Sequence, residues 1–135
     1  MMAPAAPSNM SSILIIEDDA SIAALLRFMV EREGHQVELL GDGAAAQRHV
    51  LTAAPPDLVL LDAMLPYRDG LALLADMRAL DPWRGIPVIM LTAKSLERDI
   101  VRALEAGASD YVLKPFQPQE LMARVRRLLA AGAKR

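Results

Sequence analysis

Five side chains in four places could do chemistry together: Glu17 and Asp18, Asp62, Thr92 and Lys114. Each place follows directly on a short apolar run, namely Ile13-Leu14-Ile15-Ile16, Leu58-Val59-Leu60-Leu61, Val88-Ile89-Met90-Leu91 and Tyr111-Val112-Leu113. Three carboxylates brought close would repel, and at least one would be driven toward protonation unless a cation intervened. An all-oxygen donor set with few carboxylates and open water positions suits magnesium better than zinc or an all-protein calcium cage. A carboxylate, a hydroxyl and a lysine around such an ion make a phosphoryl-transfer set. Asp62 would accept the phosphoryl group as an acyl phosphate, Lys114 would bridge the acid and the phosphoryl oxygens, and Thr92 would donate to another oxygen.

Taken singly, each residue has a duller reading. Glu17 and Asp18 could be solvated acids at a helix start, Asp62 a turn cap, Thr92 a β-former at a strand end, Lys114 a surface lysine. Their arrangement is what counts against coincidence, and that depends on the elements carrying them.

The first two runs read as buried strands and the other two as further strands, and the end of a strand in an open parallel sheet is where such folds place their chemistry. Between them lie helical patterns. Ile22, Leu25, Leu26, Met29 and Val30 share one face and meet Gly34, a helix stop. Gln36 to Leu40 alternates polar and apolar, so it reads as a half-exposed strand at the sheet edge, followed by a Gly41-Asp42-Gly43 turn. Residues 44–53 form a weak alanine-rich helix that Pro55-Pro56 ends. After Asp62 a loop over 63–70 leads into a helix with Leu71, Leu74, Met77 and Leu80 inward, closed by Asp81-Pro82. Residues 86–91 form the fourth strand. Residues 96–106 form the fourth helix, with Ile100, Val101 and Leu104 inward and Gly107 at its end. Residues 109–113 are the fifth strand, and Pro118 starts a fifth helix with Leu121, Val125, Leu128 and Leu129 on one face. Five strands alternating with five helices predict an α/β fold: a parallel sheet covered on both sides by right-handed crossovers.

At 135 residues the chain fits one domain with a full core. With 15 basic and 17 acidic residues, its net charge of −2 points to neither nucleic acid nor an anionic membrane as a direct partner. The absence of cysteine excludes disulfide and thiolate chemistry and fits a reducing cytoplasm. No apolar run approaches a membrane span. Residues 1–11 read as a flexible tail, 12–131 as the domain, and 132–135 as a tail or the start of a linker. His35 and His49 stand outside the acidic set and read as surface or edge residues; Trp83 reads as packing in the loop before the fourth strand.

The stretches 13–19, 62–70, 91–93 and 111–116 resemble the receiver domain of bacterial two-component response regulators, and the likeness covers nearly all of 12–130. The resemblance implies a doubly wound, flavodoxin-like (βα)5 fold with strand order 2-1-3-4-5, with which the alternating second strand agrees. It implies that Asp62 takes a phosphoryl group from a sensor histidine kinase or a phosphotransfer protein, without turnover of a separate substrate. Glu17, Asp18, Asp62 and the backbone carbonyl of Met64 would hold Mg2+, for which Mn2+ could substitute. Asp19 lies one position further and falls outside that set. Thr92 and Lys114 match the phosphate-contacting pair, Tyr111 the aromatic that reports activation, and Lys114-Pro115 a peptide bond that is cis in the family.

Phosphorylation would then draw Thr92 inward, admit Tyr111 to the vacated space, and change the face made by the fourth helix, fifth strand and fifth helix. On that face Glu105, Asp110, Glu120, Arg124 and Arg126 mix charges in a way that would pair acids with arginines across a twofold axis, as in the OmpR/PhoB-type transcription regulators. A solvated surface is the alternative. Tyr67 and Arg68 depart from the family, which more often has a small residue and an apolar one there. Met64 and Lys94 flank the phosphoryl position and predict slow hydrolysis. A stand-alone receiver is an alternative to an output-coupled one. An aspartyl-phosphate phosphatase would need an acid where Met64 stands, and a flavin domain would need a hydroxyl- or glycine-rich loop where Glu17 and Asp18 stand.

Overall fold

The structure is a computed structural model, and it describes residues 10–133. The elements run β1 (Ser12–Ile16), α1 (Ala20–Arg32), β2 (Gln36–Leu40), α2 (Gly43–Thr52), β3 (Leu58–Asp62), α3 (Gly70–Ala79), α4 (Asp81–Arg84), β4 (Val88–Thr92), α5 (Glu97–Glu105), β5 (Asp110–Leu113) and α6 (Pro118–Ala133). All strand pairs are parallel, in the order β2-β1-β3-β4-β5. The fourth and fifth helices expected from the sequence are α5 and α6, because the single turn α4 intervenes.

Alternate residues of each inner strand feed two separate cores. Leu14, Ile16, Val59, Leu61, Val88 and Met90 pack under α2 and α3 with Val50, Leu74 and Met77. Ile13, Ile15, Leu58, Leu60, Ile89 and Leu91 pack under α1 and α6 with Leu26, Val30, Leu121 and Val125. A strand that supplies both cores must be apolar at every position, which is why β3 and β4 are buried throughout while the edge strand β2 alternates. Three crossover helices start on an aspartate at the carboxyl edge of the sheet. Asp19, Asp42 and Asp69 accept from the backbone N–H groups of Ile22, Ala45 and Ala72 at 3.0, 2.7 and 2.9 Å. Gly34 and Gly107 end α1 and α5 at φ of 93° and 109°.

Several expectations are corrected. Asp81-Pro82 does not simply close α3: Pro82 sits in the first turn of α4, where a missing N–H costs nothing, and Trp83 is buried rather than packed in a loop. His35 is buried, its Nδ1 accepting from the Ser11 N–H at 3.1 Å, so it is no surface residue. His49 meets Trp83 edge-on at 6.2 Å. Leu25 remains 44% exposed on α1, and Val101 (40%) and Leu104 (48%) on α5 are likewise exposed. Ser11 is already engaged, its carbonyl accepting from Gln36 N–H at 2.8 Å, and α6 runs to Ala133. Residues 1–9 and 134–135 of the expected terminal tails lie outside the described residues.

Arg78 ties three connections together. Its guanidinium donates to the carbonyls of Gly107 (2.7 Å), Ile86 (2.8 Å), Arg84 (3.1 Å) and Trp83 (3.3 Å). Burial holds its pKa below the ordinary arginine value. Arg78→Met keeps the stem and strands those carbonyls, so we expect it to lower unfolding free energy by about 2 kcal/mol in urea titrations at unchanged m-value.

Candidate functional site

Parallel register is what brings the chemistry-bearing residues to one edge. Ile16 pairs with Leu61, Asp62 with Leu91, and Thr92 with Leu113, so β1, β3, β4 and β5 end side by side. Backbone bonds continue past the strand ends: Ala63 N–H donates to Leu91 O at 3.0 Å, and Lys114 N–H to Thr92 O at 2.8 Å. The next peptide, Lys114-Pro115, is cis, as the resemblance implied.

Glu17, Asp18 and Asp62 each offer an oxygen, and these oxygens lie within 4.8 Å of one another. Glu17 and Asp62 are buried and Asp18 is exposed, so the cluster opens to solvent on one side. Lys114 Nζ donates to Glu17 Oε1 at 2.7 Å and stands 3.5 Å from Asp62 Oδ1. Met64 N–H donates to Asp62 Oδ1 at 3.0 Å, which sets the Met64 backbone beside the carboxylate. Asp19 N–H donates to Glu17 Oε2 at 3.1 Å, while the Asp19 side chain is occupied in capping α1, outside the cluster.

Burial pushes the Asp62 carboxyl up to about 6; the charge of Glu17 adds to this, against the Met64 N–H and Lys114. Burial opposes the charge on Lys114, but the hydrogen bond to Glu17 and the charge of Asp62 outweigh it and raise its pKa. Hard oxygen donors, a carboxylate whose ionisation burial and the Glu17 charge both oppose, and an open side together fit a divalent cation. One lysine does not neutralise three acids.

Thr92 is buried, with Oγ1 accepting from Lys94 N–H at 3.0 Å. Tyr111 donates its hydroxyl to Lys94 O at 2.9 Å. Between Tyr111, α3 and α5 lies a cavity of about 220 Å³, lined by Ala63, Leu71, Met90 and Tyr111 and by the charged Asp69, Lys94, Asp99 and Arg102.

The charged face is only partly as expected. Arg124 pairs with Asp110 at 2.9 Å and Glu120 at 2.7 Å within the chain. Glu105 is exposed on α5, but Arg126 reaches the other way, to Glu33, just past α1, at 2.6 Å. Beside these charges Leu96, Val101, Leu104 and Leu113 are exposed.

The loop after β3 holds features that the sequence reading missed. Arg68 N–H donates to Pro66 O at 2.9 Å and Tyr67 has φ of 73°, a γ-turn of the rare positive-φ kind that costs roughly 1–3 kcal/mol. Arg68 makes a two-pronged ion pair with Asp76 of α3, at 2.7 and 2.8 Å. Gly43 N–H donates to Pro66 O at 3.0 Å, and a Cβ on Gly43 would stand 1.8 Å from Arg68 O. The caps Asp42 and Asp69 could have been found from their place before apolar periodic segments; the Arg68–Asp76 pair, eight residues apart across a loop, leaves no periodic signal.

Residues 13–126 match the family model described as response regulator receiver domain. The DNA-binding response regulator MtrA of Mycobacterium tuberculosis is 46% identical over 114 residues, 84% of this chain and 48% of that protein. The sensory transduction protein RegX3 of Mycolicibacterium smegmatis is 43% identical over 124 residues, 92% and 53%. The chain thus spans about half the length of the curated relatives it matches. Among solved structures, the receiver domain of a Pseudomonas aeruginosa sensor histidine kinase, with a magnesium ion coordinated in its active-site cleft, superposes with TM-score 0.81 at 33% identity, covering 90% of this chain and 98% of that one. A receiver domain from Methanospirillum hungatei gives TM-score 0.84 at 30% identity, covering 93% and 98%. With an acidic cluster at the carboxyl edge of a 2-1-3-4-5 parallel sheet, and these relatives, the chain belongs to the family of response regulator receiver domains.

Proposed function

We propose that this domain is a magnesium-dependent phosphoacceptor switch, with Asp62 as the residue phosphorylated. The observation that carries the proposal is the meeting of Glu17, Asp18 and Asp62 around one point with Lys114 beside Asp62. Glu17, Asp18, Asp62 and the Met64 carbonyl would hold Mg2+, or Mn2+ in its place. When bound, the ion supplies positive charge against the carboxylates and the phosphoryl oxygens.

An Asp62 oxygen attacks phosphorus as the P–N bond of a phosphohistidine breaks, the imidazole leaving with the bonding pair. Lys114 offsets charge on one phosphoryl oxygen and Thr92 donates to another. Turning its hydroxyl inward frees Thr92 from Lys94 N–H, and Tyr111 exchanges its bond to Lys94 O for the neighbouring cavity. The α5–β5–α6 face changes as a consequence.

The donor is a sensor histidine kinase or a phosphotransfer protein in the cytoplasm. No helix among the described residues is long and apolar enough to cross a membrane. The output is a DNA-binding region of a longer chain, as the description of MtrA suggests, or a partner protein if the receiver acts alone. The domain itself contacts no nucleic acid. A phosphatase reading is disfavoured because Met64 supplies no second acid. The exposed Leu96, Val101, Leu104 and Leu113 beside Asp110, Glu120 and Arg124 support a twofold dimer through α5–β5–α6 on phosphorylation.

Incubation with a small phosphodonor and Mg2+ is the test. One phosphoryl adduct is expected in intact mass, released by hydroxylamine as an acyl phosphate and absent in chelator. Turnover of a generic phosphate ester without a trapped adduct would overturn the reading. Sedimentation of the same sample reads the dimer.

A further inference from the structure

The loop from Ala63 to Asp69 packs Ala63 and Leu65 against the core and leaves Met64, Pro66, Tyr67 and Asp69 exposed, yet its exposed part is also held. Tyr67 occupies a positive-φ γ-turn that a bulky side chain adopts only where the surroundings enforce it. Two restraints do so. Arg68 grips Asp76 with both prongs of its guanidinium, and the Pro66 carbonyl, which closes the turn, also accepts from Gly43 at the start of α2. The Arg68–Asp76 pair is only partly exposed, with side-chain exposures of 35% and 19%, so it keeps more of its attraction than a solvated pair. Four residues before Arg68, in the same loop, Met64 N–H holds Asp62 Oδ1 at 3.0 Å.

We propose that Arg68 and Asp76 form a positioning clamp that fixes the Met64 backbone against Asp62, and so sets how tightly the acidic cluster binds a divalent cation. The proposal rests on the magnesium reading above. Neither residue touches the cluster; the effect passes through the backbone of 64–68. The clamp preorganises one carboxylate oxygen and the Met64 carbonyl, which would otherwise have to be ordered at the moment of binding. Release of the γ-turn lets the loop relax, and the Met64 amide swings away from Asp62.

Isothermal calorimetry with Mg2+ alone tests this on the wild-type chain and on Arg68→Met, Asp76→Asn and the double variant. Each single variant is expected to bind Mg2+ about tenfold more weakly, as loss of a group that orients a metal ligand typically does. The double variant loses no more than either single one, because both break the same clamp. Tyr67→Gly in the Arg68→Met background removes the conformational strain and recovers part of the affinity. Amide exchange at Met64, measured without metal, speeds up in both single variants. Wild-type affinity in Arg68→Met and Asp76→Asn, with unchanged Met64 exchange, overturns the clamp and leaves the magnesium reading standing. Absence of Mg2+ binding to the wild-type chain, in calorimetry and in paramagnetic Mn2+ titration alike, overturns both.

Discussion

Asp62→Asn should abolish the phosphoryl adduct and, in metal-free buffer, make the domain more stable. Both effects come from one oxygen. Asparagine offers no carboxylate nucleophile, so no acyl phosphate forms. It also carries no charge into a buried position beside Glu17. The Asp62 carboxyl is pushed up to about 6 from its ordinary 3.8, so between those values the folded chain retains a proton that the unfolded chain has released. Stability contributed by this proton is complete below about pH 4 and is lost as pH rises through 6. At neutral pH the ionised wild-type residue therefore costs on the order of 2 kcal/mol, worth roughly 6 °C in Tm for a domain of this size. Thermal melts of both proteins in chelator should coincide near pH 4 and separate as pH approaches 7, the variant melting higher. Addition of Mg2+ should raise the wild-type Tm and narrow the gap. A variant that melts lower than wild type at pH 7 without metal would contradict the account of Asp62 as a strained acid, and an undiminished adduct would displace it as acceptor.

Lys114→Met should behave in the opposite sense. Lys114 is the counter-ion of Glu17, whose side chain is 1% exposed, and its stem leaves only 17% of the lysine side chain in contact with water. Removing one partner of such a pair leaves a buried charge, and a loss of about 3 kcal/mol is expected in chelator. Magnesium and lysine neutralise the same acids, so Mg2+ should recover most of the loss. Linkage then requires the variant to bind Mg2+ more tightly than the wild-type chain, since a ligand restores stability only through stronger binding to the folded state. Urea unfolding with and without Mg2+ reads the first effect and calorimetry the second. Equal destabilisation with and without Mg2+ would show that the lysine acts through packing alone.

The main features of the candidate site are legible because Glu17, Asp62 and Thr92 end apolar runs buried throughout or nearly so, which are hard to mistake for anything but inner strands, whereas Lys114 follows the half-exposed edge strand β5. A parallel register then carries Asp18, Asp62, Thr92 and Lys114 to one edge without further information. Helix faces were less legible. Periodicity identifies apolar positions but not whether a neighbour covers them, so Leu25, Val101 and Leu104 were expected inside and stand largely outside. Pro82 was read as a terminator when it opens a turn of helix, since proline is tolerated in a first turn as readily as past a last one. Arg126 belongs by the sequence to a mixed-charge face with Arg124 and Asp110, yet two residues turn a helix far enough to aim it at Glu33, just past α1, instead. The γ-turn at Tyr67 and the clamp beside it depend on contacts between a loop and two helices, and nothing local announces them.

The exposure of α5 has a bearing on how hard the domain is to switch. Ala103 is the one buried residue of that helix, and Arg78 fastens the turn just beyond its C-terminal end through the Gly107 carbonyl. A helix with one fully buried alanine and a half-buried Ile100 uncovers little apolar surface when it tilts, so the hydrophobic penalty for moving it is on the order of 1–2 kcal/mol, less than a core helix would exact. Anchored at one end and lightly held along its length, α5 would meet little hydrophobic opposition to a tilt. On the phosphoacceptor reading proposed above, one or two hydrogen bonds gained at a phosphoryl oxygen would be of the size needed to offset that cost.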